Sequence, residues 1–154
     1  MRIRFLCRIL TPLMMLVIFY FSSRPGPESD VDSMAIGRII GEIVVPGFED
    51  MELQAQLEFV TNINHAVRKT AHFTEYAVLA VLLAGALDAE DKKRWAIFLQ
   101  AVAIAALYAA SDEFHQTFVP GRAGKISDVL IDSAGAVAGA AIVIALRRRI
   151  SVIK

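Results

Sequence analysis

A single cysteine, Cys7, stands in this 154-residue sequence, so no disulfide can close within the chain and no thiolate metal site can be assembled. Neither charge predominates. Lys and Arg total 16, Asp and Glu total 16, and a net charge of zero supplies no bulk field to recruit nucleic acid. A cleavage point is also missing after the first apolar run, residues 5–21. That run is preceded or entered by Arg2, Arg4 and Arg8 and followed by Ser22-Ser23-Arg24-Pro25-Gly26-Pro27, with no small-x-small pattern. Such a segment reads as an uncleaved signal anchor. Cys7 follows bulky Phe5 and Leu6, so it reads as one more apolar helix residue rather than a lipid attachment point.

What the sequence has in quantity is apolar residues, 56% of the chain, gathered in blocks rather than spread at amphipathic spacing. Blocks of that length require lipid. Besides 5–21 they cover 71–87, 95–111 and 129–146. Each of the last three is near the short end of what spans a bilayer, and three in so short a chain argue against a soluble helical hairpin. The expected fold is all-α, a bundle of about four transmembrane helices with an extracytoplasmic amphipathic segment. The expected divisions are a signal-anchor helix over 1–23, an acidic and amphipathic segment over 24–68, a three-helix membrane core over 69–147, and a basic tail over 148–154. Within the second of these, Pro25-Gly26-Pro27 breaks helix. From Met51 onward, Leu53, Leu57, Val60, Ile63 and Val67 recur at helical spacing and lead into the next span.

Basic residues bias loops to the cytoplasm. Arg2, Arg4 and Arg8, then Lys92-Lys93-Arg94, then Arg147-Arg148-Arg149 all fall on one side if there are four spans. The expected location is therefore the cytoplasmic membrane of a bacterium, with both termini inside. Three polar sets then share the outer face. Arg68, Lys69, His72, Glu75 and Tyr76 open the second span. Ser111, Asp112, Glu113, His115 and Gln116 close the third. Arg122, Lys125, Ser127, Asp128 and Asp132 precede or enter the fourth. Ionisable groups in spans are costly and turn toward a bundle interior or a wet cavity, so three helices carrying them at one depth point to one shared site. The phases agree: Lys69, His72 and Tyr76 stand at i, i+3 and i+7, and Asp128 and Asp132 at i and i+4. Gly135 continues the Asp128–Asp132 face, and Gly135-x-x-x-Gly139 lets backbones approach.

Lys69-x-x-His72-x-x-Glu75-Tyr76, then Ser111-Asp112-Glu113-x-His115-Gln116-x-Phe118-Val119-Pro120-Gly121-Arg122, then Asp128-Val129 followed by Gly135, together resemble the VanZ-like family over about residues 66–140. The resemblance implies a small integral membrane protein of the bacterial envelope. The family is named for a member that lowers susceptibility to the glycopeptide teicoplanin, and no reaction is firmly attached to it.

On the residues alone, three chemistries compete. In the first, Lys69, Arg122 and Lys125 hold an anionic group of a lipid-linked or cell-wall-related molecule, with Tyr76, Gln116, Asp128 and Asp132 completing the binding set. Glu75, Glu113, His72, His115 and Asp112 are then the acid–base candidates, while Ser111 and Ser127 are weak nucleophile candidates. In the second, His72, Glu75, Glu113, His115 and Asp128 supply metal donors, although the order is His then Glu and no HExxH occurs. In the third, the cluster is an interhelical network that holds a partner-binding fold. A transmembrane proton relay is disfavoured, because the inner halves of the spans lack ionisable residues. The residues specify no cofactor, and the expected surroundings are the bilayer, without nucleic acid.

Overall fold

The computed structural model describes residues 2–88 and 93–152, with side chains to residue 147. Lys92 and the side chains of Arg148 and Arg149, all invoked for topology, lie outside the described residues. Five α-helices follow one another: α1 Arg2–Ser22, α2 Gly26–Val44, α3 Leu53–Leu87, α4 Arg94–Gln116 and α5 Ile126–Val152, with a short 3-10 turn at Phe48–Asp50. No strand occurs among the described residues. Among the described residues four helices are long and apolar enough to cross a bilayer: α1, α3, α4 and α5 over Ile126–Arg147.

The proline break ends α1 and also starts α2. Pro25 occupies the N-cap and Pro27 lies in the first turn, where the missing N–H is an orphan donor anyway. The sequence reading found the break and the acidic character but not this helix. α2 runs antiparallel along the first half of α3. Arg68 donates to Asp30 Oδ1 at 2.7 Å, Asn64 donates to the same oxygen at 3.4 Å, and Gly37 lies against Val60 and Ile63. Phe48 is buried where this hairpin closes, against Gly41 and edge-on to Phe59 at 5.5 Å.

α3 is continuous over 35 residues. At 1.5 Å per residue that is about 52 Å, well beyond a hydrocarbon core of about 30 Å. No proline stands between Leu53 and Leu87, so the predicted amphipathic helix and second span are one rod. Its most extensive partner is α5. Gly135 sits against the Phe73 carbonyl oxygen and Gly139 against that of Ala77, so close that a Cβ at either glycine would collide with backbone. The GxxxG spacing therefore does set a close helix crossing. The core continues this small-residue theme: Ala80 and Ala84 of α3, Ala101, Ala105 and Ala109 of α4, and Ala136 and Ala140 of α5 are buried, with Tyr76, Leu79 and Ile97 as its large members. Cys7 packs on Gly85, as an ordinary apolar helix residue would.

Candidate functional site at the polar end of the bundle

The end of α1, the middle of α3, the last turn of α4 and the first turns of α5 meet at one end of the bundle. The loop 117–125 joins α4 to α5 there. Gly121 holds a positive φ of 74°, a backbone region that favours glycine, and its backbone rests on Gly26. The Gly26 N–H donates to the Pro120 carbonyl at 3.0 Å. The two Pro-Gly segments, at positions 25–26 and 120–121, are thus one contact.

Arg122 leaves this turn and clamps the exposed end of α1. Its Nε donates to the Arg24 carbonyl at 2.8 Å and its Nη2 to the Phe21 carbonyl at 2.9 Å. A helix C-terminus has unpaired carbonyls and a partial negative charge, so a guanidinium satisfies both needs. Its Nη1 reaches Gln116 Oε1 at 3.4 Å. The Gln116 amide in turn donates to Asp112 Oδ2 at 3.1 Å and Glu113 Oε1 at 3.3 Å. Glu113 accepts the Lys125 backbone N–H at 2.9 Å. The D-E-x-H-Q and P-G-R strings are therefore one hydrogen-bonded unit. Burial lowers the Arg122 pKa, helped by Arg68 and opposed by Asp112, Glu113 and Asp30.

Seven of the polar residues singled out in the sequence line a single cavity of about 290 Å³: Arg68, Lys69, His72, Gln116, Arg122, Lys125 and Asp128. His65 adds to its wall. A second cavity of about 180 Å³ shares His72, Arg68 and Arg122 with the first and adds Glu75. Lys69 pairs with Asp128 across the α3–α5 interface. The Lys125 side chain is exposed and joins no ion pair among the described residues.

Other predicted residues stand apart. Tyr76 and Asp132 are fully buried and Asp112 nearly so, and none of them lines these two cavities. Both Asp132 oxygens, Asp112 Oδ1 and the Tyr76 hydroxyl make no hydrogen bond within the protein. His72 Nδ1 is 3.9 Å from Asp132 Oδ1, beyond hydrogen-bond range. His115 turns to α1, its ring 4.9 Å from that of Phe19. Ser111 donates to the Tyr108 carbonyl of its own helix, which is no base, while Ser127 donates to the neighbouring Asp128 carboxylate at 3.0 Å. Among the described residues no three of His, Cys, Asp and Glu form an arrangement that could hold a metal ion.

Sequence reasoning missed Arg24, Asp30 and His65. Arg24 pairs with Glu28 and Asp32 of α2. The signal was available in the repeated Pro-Gly of 25–26 and 120–121, but only the fold shows that the two meet.

These features define a multi-pass helical membrane protein with a cluster of acidic, basic and histidine side chains at one end. The model of the VanZ/LLP1 family matches residues 8–147. The chain belongs to that family, and the match takes in α1 and α2 as well as the 66–140 stretch in which the resemblance was read. No curated protein and no solved structure matches the chain significantly.

Proposed function

We propose that the polar end faces away from the cytoplasm of a bacterial cell and binds an anionic group of an envelope molecule, lipid-linked or cell-wall-related. The observation that carries this reading is the balance of charge in the larger cavity. Arg68, Lys69, Arg122 and Lys125 line it, with Asp128 as the carboxylate among its described lining residues. Arg68 is also paired with Asp30 and Lys69 with Asp128, which leaves Arg122 and Lys125 without a carboxylate in an ion pair among the described residues. An arginine fork beside lysines suits a phosphate-like anion. The orientation rests on Arg2, Arg4, Arg8, Arg94 and Arg147, all at the opposite end of the bundle.

Two experiments test it. With Cys7→Ser as background, Ala123→Cys is labelled by a membrane-impermeant maleimide in intact cells; labelling only after permeabilisation overturns the orientation. Calorimetric titration of the purified chain with inorganic diphosphate gives saturable binding. Lys125→Gln, which keeps the backbone bond to Glu113, weakens it about tenfold, the worth of one charge-assisted contact. No saturable binding overturns the anion site. If chemistry follows binding, Glu75 and His72 are the acid–base candidates at the cavities, while Asp112, Glu113 and His115 act from outside them. A change in teicoplanin susceptibility on deletion is the phenotype to which the family name points.

A second reading, a purely structural network, is favoured by the internal bonds of Arg122 and the Lys69–Asp128 pair. Arg122→Gln separates the two readings, because Arg122 both lines the cavity and carries the network bonds. Intact folding with lost binding supports the anion site, and lost folding supports the network.

A further inference from the structure

We infer that the bound molecule is an anionic lipid, its phosphate headgroup in the cationic cavity and its chain in an apolar groove between α1, α2 and α3. The inference rests on the anion-binding reading and adds the chemical class of the ligand and the path of its tail. The groove has a volume of about 620 Å³, with Met14, Ile36, Ile40, Val67 and Val78 among its walls. It is well within the size range of small-molecule sites. It runs along α3 from Ile63 to Val78, and the stretch beyond the headgroup cavity, from His72 to Val78, is about 9 Å at 1.5 Å per residue.

Continuity with the cationic cavity distinguishes this groove from an ordinary apolar face. Glu75, Ala71 and Ile36 line both the groove and the 180 Å³ cavity. That cavity in turn shares Arg68, His72 and Arg122 with the headgroup cavity. One path therefore runs from four cationic side chains, past His72, Glu75 and the Arg24-paired Asp32, into hydrocarbon-compatible walls. The floor of the path is made of small residues. Thr70, Ala71 and Thr74 are exposed on α3, and the Thr74 hydroxyl is already bonded to the Thr70 carbonyl at 2.7 Å. Met14 and Val78 belong to membrane spans, so the tail end of the groove lies where lipid chains reside. A chain entering there leaves lipid for an apolar wall without crossing water, and only the headgroup must find polar partners. The single carboxyl in the groove, Glu75, stands at the junction of head and tail.

The test uses the full chain in phosphatidylcholine nanodiscs and two photoactivatable probes with a diazirine on the acyl chain, a phosphatidic acid and a phosphatidylcholine. The phosphatidic acid probe is expected to label the segments carrying Ile36, Ile40 and residues 67–78 about tenfold more strongly than the phosphatidylcholine probe, a preference that one or two charge-assisted contacts supply. Thr74→Trp, which fills the groove from an exposed position, removes that labelling, and Arg122→Gln reduces it about tenfold. Equal labelling by both probes overturns the lipid assignment. So does equally strong labelling of Leu107 and Leu130 on the outer faces of α4 and α5, or chain-to-chain crosslinking through the groove, which marks a second copy as its occupant. If inorganic diphosphate still binds in those cases, the anion site survives and the lipid assignment alone falls; if it does not, both fall.

Discussion

The two halves of the same three helices are built on opposite terms. In the apolar half, Leu79, Ala80, Leu83 and Ala84 meet Ile97, Ala101, Ala105, Ala136 and Ala140, all buried and none carrying a polar side-chain atom. In the polar half, Tyr76, Asp112, Glu113, Gln116 and Asp132 are buried at the same packing interfaces. Between helices in lipid there is no hydrophobic gain to drive association, so close backbone approach and dispersion must do it, and small residues permit both. The polar half works against stability. A buried polar atom without a partner costs free energy, and several there lack one within the protein. The apolar half therefore holds the fold, and it holds a polar half that would not be selected for stability.

The largest expected effect follows from breaking the apolar half. Gly139→Leu drives a side chain into the Ala77 carbonyl and forces α3 and α5 apart. A loss of about 3 kcal/mol or more, or no folded protein, is expected in detergent unfolding. A cost below about 1 kcal/mol would mean that the crossing is not set by the glycines. In the polar half a smaller effect is expected from Lys69→Met, which strands Asp128. The pair is about one-fifth exposed on each side, so a cost of about 1–2 kcal/mol lies between the exposed and buried limits. The double variant Lys69→Met with Asp128→Leu recovers most of that loss in the same unfolding measurement. Failure to recover it would show that Lys69 stabilises through other contacts. The smallest effect is expected far from both halves. Arg38 on α2 donates to Glu42 at 3.1 Å in an exposed i,i+4 pair, and Arg38→Ala changes stability by less than about 0.5 kcal/mol.

The same contrast explains what the sequence disclosed. The four spans were legible because lipid imposes length and apolarity on any helix that crosses it. The helices extend past the apolar blocks at 71–87, 95–111 and 129–146 because caps and charged turns are helical too. α2 was not legible: its prolines announce a break, and its acidic residues mask the apolar positions Ile36 and Ile40 that face α3. For the site, depth could be read and direction could not. Depth placed Lys69, His72, Arg122 and Asp128 together, and they do share a cavity. Helical phase put Lys69 and His72 on one face and Asp128 and Asp132 on another; that the two faces meet in a Lys69–Asp128 pair is a property of the fold. His115 stands at the same depth yet turns to Phe19, because the facing of a residue in the last turn of α4 depends on how α1 packs beside it. Arg122 was expected to be a free anion binder. It also caps α1, a role fixed by the fold rather than by its motif.

The most direct measurement is the unfolding temperature of Asp132→Asn beside the parent chain. Asp132 is fully buried and its carboxyl oxygens bond to nothing in the protein, so replacing the carboxyl with an amide should leave the unfolding temperature unchanged or raise it. A drop of several degrees would show that this carboxyl secures the helix packing, and the division between a half that holds the fold and a half that serves a ligand would fail.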